Sequence, residues 1–160
     1  MIRLLGLGLA AFVIAADQLT KSRIRGLFAG LPMDEQVRTF TNFFRLVLTW
    51  NRGMSFGFFN GDSSANTLVF SLLAAVIVAF LLIWLWRSRD WLVVAGLGLA
   101  VGGAIGNVID RLRFGAVVDF LDFHWHDIHF WAFNLADSAI TTGVVLLLID
   151  GLLVRRESPK

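Results

Sequence analysis

Ser63 to Trp86 contains no charged residue, and after a short polar link Trp91 to Ile109 contains none either. Each run can cross a hydrocarbon core, which takes about 20 apolar residues. Backbone groups at that depth must satisfy one another, so both runs are expected as helices. Leu4 to Ala16 is shorter, but Asp17-Gln18-Leu19-Thr20 extends it towards an interface. A fourth run, Phe133 to Val154, holds Asp137 near its start and Asp150 near its end. The pattern predicts an all-α membrane protein forming one integral-membrane domain over residues 1–160. Its four transmembrane helices are expected at about 4–20, 66–86, 91–110 and 133–154, with extramembrane loops at about 21–65 and 111–132. Arg3, Leu4 to Ala16 and the Ala15-Ala16 end also fit a cleavable signal peptide; the three hydrophobic segments that follow favour an uncleaved first helix.

With 57% hydrophobic and 16% charged residues, the chain carries neither the polarity of disorder nor a basic surface for nucleic acid. Zero cysteines exclude a disulfide framework, thiolate metal sites and a cysteine nucleophile. Four crossings place both termini on one side. Counting bases leaves the orientation open. Arg3, Arg87, Arg89, Arg155, Arg156 and Lys160 are packed into short segments on the termini side, which favours termini inside. Lys21, Arg23 and Arg25 after the first helix argue the other way.

The first loop does not read as a linker. Phe40 to Trp50 is rich in β-branched and aromatic residues and reads as strand, and Gly53, Gly57 and Gly61 punctuate the turns that follow. Phe56, Phe58 and Phe59 suit a membrane surface. In the third loop, Ala116 to Phe120 and Ile128 to Phe133 resemble two short strands around a turn, so a small extramembrane sheet is expected over the bundle.

Charges within membrane helices are costly and mark a functional site by default. Here they gather at one face. Asp17 ends the first helix, Asn107, Asp110 and Arg111 end the third, Asn134 and Asp137 begin the fourth, and Asp119 lies between those two. Asn107, Asp110 and Arg111 share a helix face by their i, i+3, i+4 spacing. Gly98, Gly102 and Gly106 form a small-residue ridge that admits a close neighbour and leads into Asn107. Plainer readings stand beside these: Asp110-Arg111 as a snorkelling interfacial ion pair, Asp17 as a solvated helix end beside Lys21, and the glycine ridge as packing alone. Asp137 resists them, since an acid about 5 Å inside an apolar helix requires a partner or a proton.

Asp122, His124, His126, Asp127 and His129 suggest zinc or copper ligands. On a strand, however, Asp122, His124 and His126 face one way and Asp127 and His129 the other, unless a turn reunites them. No His-Glu-x-x-His helix and no Gly-x-Ser-x-Gly elbow occurs, and Lys21 is poorly placed to activate the adjacent Ser22. There remain Asp119 and Asp137, two carboxylates across a hairpin. Such a pair sharing one proton is the minimal aspartyl-protease device, supplying general base and general acid at one pH. Two competing classes are a proton- or ion-coupled small membrane transporter using Asp17, Asp110 and Asp137, and a metal-binding scaffold built on the histidine loop.

Asp17-Gln18-Leu19-Thr20-Lys21, Asn51-Arg52-Gly53, Gly102 to Arg111, Val117-Val118-Asp119-Phe120 and Phe133 to Ser138 closely resemble, in order, the motifs of the bacterial lipoprotein signal peptidase (signal peptidase II) family. The resemblance covers essentially the whole chain. It implies a cofactor-free, metal-free aspartyl endopeptidase of the bacterial inner membrane. That enzyme cleaves prolipoproteins just before a diacylglyceryl-modified cysteine and is open to cyclic-peptide inhibitors of the globomycin type. By motif position Asp119 and Asp137 are the catalytic dyad. Asn51, Gly53, Asn107, Arg111 and Asn134 position substrate or orient the acids, and Asp17, Lys21 and Asp110 support them. The resemblance further implies cytoplasmic termini, a periplasmic active site, a β-cradle with a short interfacial helix, contact with membrane lipid, and no ligand role for the loop-three histidines.

Overall fold

The structure, a computed structural model, describes residues 1–52, 63–126 and 128–157. Gly53, Gly57, Gly61, Phe56, Phe58, Phe59 and Asp127 fall outside the described residues, and with them the expected interfacial helix and glycine turns. Among the described residues, four helices are long and apolar enough to span a bilayer: α1 (Ile2–Leu27), α2 (Ser63–Arg87), α3 (Trp91–Phe114) and α4 (Leu135–Glu157). Four antiparallel strands, β1 (Val37–Thr41), β2 (Phe44–Asn51), β3 (Val117–Trp125) and β4 (Ile128–His129), lie side by side in that order.

Helix α3 is the axis of the bundle and packs on the other three. Its start is fixed by Asp90, whose Oδ1 accepts from Leu92 N at 2.7 Å and Val93 N at 3.3 Å. Its end is fixed by Gly115, whose φ of 70° is the left-handed conformation that favours glycine. A Cβ on Gly98 would lie 2.6 Å from Gly6 O, and one on Gly102 2.7 Å from Ala10 O, so the glycine ridge seats α1. Gly106 continues that seam against the Asp17 carboxylate rather than against backbone. By contrast α2 turns Leu72, Val76, Phe80 and Ile83 outward, which suits a helix bathed in lipid.

The first helix runs seven residues past the expected end at residue 20. Its buried stripe explains why: Gly6, Ala10, Val13, Asp17, Lys21 and Ile24 succeed one another at three- and four-residue steps, with Phe28 next. Ile24, Phe28 and Phe120 form a core under the sheet, with Leu46, Leu48 and Leu121 packed around it. The bases Lys21, Arg23 and Arg25 therefore do not end the helix: Lys21 lies within the buried stripe, and Ile24 carries it on between Arg23 and Arg25. Phe40 to Trp50 is likewise a hairpin rather than one strand, turning at Asn42-Phe43. The third-loop strand reaches Trp125, beyond the expected Phe120, because it pairs with β2 as far as Phe123 and with β4 at His124 and Trp125. Helix α4 starts at Leu135, which puts Asp137 in its first turn, not one turn inside.

Candidate active site

Asn134 and Asp137 cap α4 reciprocally. Asn134 Oδ1 accepts from Asp137 N at 3.0 Å, and Asp137 Oδ2 accepts from Asn134 N at 3.2 Å. This answers the need of Asp137 for a partner, and the side chain is only half-buried. Its other oxygen, Oδ1, accepts from Asn107 Nδ2 of α3 at 2.8 Å. Asp119 sits on β3, 2% exposed. Its Oδ1 accepts from Asn134 Nδ2 at 2.7 Å and its Oδ2 from Asn51 Nδ2, at the end of β2, at 3.0 Å. One asparagine thus donates to both acids, with its side chain to Asp119 and its main chain to Asp137.

Burial is the main reason the Asp119 carboxyl is pushed up to about 6, and the negative charge of Asp137 adds to it. The donors Asn51 and Asn134 and the Lys21 ammonium pull the other way and lose. Arg111, half-buried on α3, acts electrostatically on Asp137, Asp119 and Asp110.

Behind the two acids lies a buried ionic group. Lys21, 2% exposed, directs Nζ to three acceptors: Asp17 Oδ2, Asp110 Oδ2 and Asn107 Oδ1, each at 2.9 Å. An ammonium has three N–H donors, and all three are used. Asp17 Oδ1 also accepts from Ala136 N, an otherwise orphan donor in the first turn of α4, at 3.0 Å. Asp110 Oδ2 accepts from Val118 N on β3 at 3.0 Å. The group therefore ties α1, α3, α4 and β3 together. It also fixes the Asn107 amide: the oxygen faces Lys21, so the nitrogen must face Asp137.

The structure gathers Asp17, Lys21, Asn51, Asn107, Asp110, Asp119, Asn134 and Asp137 into one hydrogen-bonded network; Gly53 lies outside the described residues. Two plainer readings are corrected. Asp17 is not a solvated helix end but fully buried, because Gly106 leaves room for its carboxylate. Asp110 pairs with Lys21 rather than its neighbour Arg111, since adjacent helical residues do not face each other. Gln18 was not singled out by its sequence position, yet its Nε2 donates to Asp110 Oδ1 at 2.9 Å and Gly106 O at 3.2 Å. Its only signal was its place inside the Asp17 motif. The histidine set is not split as on a flat strand: a turn at His126 (φ 53°) returns the chain, and Asp122, His124 and His129 come together.

Comparison with known proteins bears on this arrangement. The profile of the family described as Signal peptidase (SPase) II matches residues 9–153. A protein of Rhodopseudomonas palustris (strain TIE-1) named Lipoprotein signal peptidase is 44% identical over 154 residues, covering 93% of this chain and 92% of that one. A protein of the same name from Burkholderia cenocepacia (strain HI2424) is 47% identical over 149 residues, covering 91% and 86%. Two solved structures, each titled as a bacterial membrane enzyme structure by the in meso method, share the fold. One has a TM-score of 0.77 at 28% identity, covering 92% of each chain. The other has a TM-score of 0.78 at 27% identity, covering 97% of this chain and 92% of that one.

Proposed function

We propose, from the premise that the chain belongs to the signal peptidase II family and is an aspartic peptidase that removes signal peptides from lipoproteins, that Asp119 and Asp137 are its catalytic pair. The observation that carries this reading is Asn134, which donates at 2.7 Å to Asp119 and at 3.2 Å to Asp137 and so holds both acids about one residue. The transporter alternative is not supported. Among the described residues, the buried charged side chains Asp17, Lys21, Asp110, Asp119 and Asp122 lie at the sheet end, and the sequence of α2 carries no charge before Arg87.

The chemistry needs two carboxylates and a water. Asp137, half-buried in the first turn of α4, is placed to take a proton from the attacking water. Asp119, buried and raised, holds the shared proton and gives it to the carbonyl oxygen of the scissile peptide. Water oxygen bonds to the carbonyl carbon and forms a gem-diol. Its collapse breaks the C–N bond as the proton held by Asp137 passes to the departing amine and one gem-diol hydroxyl returns its proton to Asp119, leaving a carboxylic acid and the starting pair. Asn51, Asn107 and Asn134 orient the acids, Asp17, Lys21 and Asp110 orient Asn107, and Arg111 and Gly53 position the substrate.

The substrate on this reading is a prolipoprotein whose cysteine already carries diacylglycerol. Its acyl chains stay in the bilayer, and the bond before the cysteine then lies at the headgroup boundary, level with the first turn of α4. We place the protein in the bacterial inner membrane with both termini cytoplasmic and the sheet on the periplasmic side. It acts there as one peptidase domain that contacts membrane lipid and is open to globomycin-type cyclic peptides. Incubating the purified protein with diacylglyceryl-modified and unmodified precursor tests the reading. Only the modified form should be cut, and Asp119→Asn or Asp137→Asn should abolish cutting while the protein stays folded. Near-normal processing by either variant would refute the assignment.

A further inference from the structure

We propose that Asp122, His124 and His129 form a binding site for one divalent ion of the zinc class, outside the peptidase centre, that clamps β4 to β3. The register places His124 opposite His129, with rings stacked at 5.1 Å between centroids. Asp122 lies two residues before His124 and therefore on the same face of β3. One ligand atom from each of the three residues lies within 4.8 Å of the others. Asp122 Oδ1 and His129 Nδ1 are 3.2 Å apart. Two ligands on a tetrahedral zinc, at bonds of about 2.0–2.1 Å, stand about 3.3 Å apart, so this pair already has the required spacing.

Two further observations separate this cluster from a chance gathering of polar side chains. Arg45 Nε donates to Asp122 Oδ2 at 2.5 Å, which fixes the carboxylate and leaves Oδ1 towards the imidazoles. Outer partners orient metal ligands in this way. His124 Nδ1 is withdrawn from solvent and has no hydrogen-bond partner among the described residues, an uncompensated cost that a metal–nitrogen bond removes. Nitrogen and oxygen donors select zinc or a similar borderline ion, and a fourth position is left for water. Neither proposed catalytic acid belongs to the set, so the site stands or falls apart from the peptidase reading.

The test is calorimetric titration of the full-length, untagged protein in detergent with Zn²⁺ alone, after chelator treatment. One ion should bind per chain. His124→Ala, His129→Ala and Asp122→Asn should each weaken binding by at least about tenfold. His126→Ala, on the exposed turn, should leave it unchanged. Failure to saturate at one ion per chain below roughly 100 μM overturns the site, as does unchanged affinity in the His124→Ala/His129→Ala variant. If a substitution prevents folding, Co²⁺ added to the unsubstituted protein decides. The intense visible bands of low-coordinate cobalt support the site, and the weak spectrum of hexa-aqua cobalt overturns it.

Discussion

Lys21→Met is the most informative perturbation, because it keeps an unbranched side chain only one heavy atom shorter and removes the charge and the donors. Lys21 is 2% exposed, and Asp17 and Asp110 are 0% and 1% exposed. The substitution leaves two carboxylates without the cation that each approaches at 2.9 Å. Removing one partner of a buried ion pair costs about 3–5 kcal/mol, because the remaining charge is stranded. At about 2–4 °C per kcal/mol for a chain of this size, the apparent Tm should fall by roughly 6–20 °C. Adding Asp110→Asn should recover part of that loss by removing one stranded charge, even though a hydrogen bond to Val118 is weakened. Asn107 also loses the donor that orients it, so kcat should fall more than KM rises. Thermal unfolding in detergent and single-turnover cleavage read the two effects. A Tm within about 2 °C of the unsubstituted protein would show that the ammonium contributes no net ionic stabilisation, and would refute the reasoning.

Two further outcomes follow from the same geometry. Folding raises the Asp119 carboxyl from 3.8 to about 6, so as pH rises the unfolded chain loses this proton first. The folded state then binds more protons, and this group makes stability fall from about pH 4 to about pH 6 and level off above; Tm against pH for the unsubstituted protein and Asp119→Asn should differ in slope only in that window, with the variant flatter. A Cβ on Gly102 would come within 2.7 Å of Ala10 O, whereas one on Gly8 meets nothing within 4 Å. Gly102→Ala should therefore cost about 1–3 kcal/mol in unfolding measurements, while Gly8→Ala should cost nothing.

The spans and the polar end were legible because both rest on local properties. An uncharged run long enough for a bilayer declares itself, and so does a cluster of acids at the helix ends of one face. What escaped depended on which residues meet in space. Lys21 reads as the end of a helix until Ile24 and Phe28 are seen beneath the sheet. Asp110 has a cation next to it in the chain, but its partner comes from another helix. The Asn42-Phe43 turn lacks glycine and proline, so a hairpin read as a single strand. Asp137 reads as one turn deep because Asn134, the residue that caps α4, falls inside the apolar run. The turn at His126, a left-handed residue other than glycine, was equally invisible, and it decides whether the histidines face one another.

Helix α1 continues beyond its apolar run, and this links the bundle and the sheet mechanically. Ile24 and Phe28 pin the sheet onto the same rod that Gly98 and Gly102 grip lower down. The rod also packs on Phe120, the neighbour of Asp119 on β3, so the place of Asp119 is tied to the seating of α1 in the bundle. The distance between the glycine seam and the sheet is thus built into the length of a single helix.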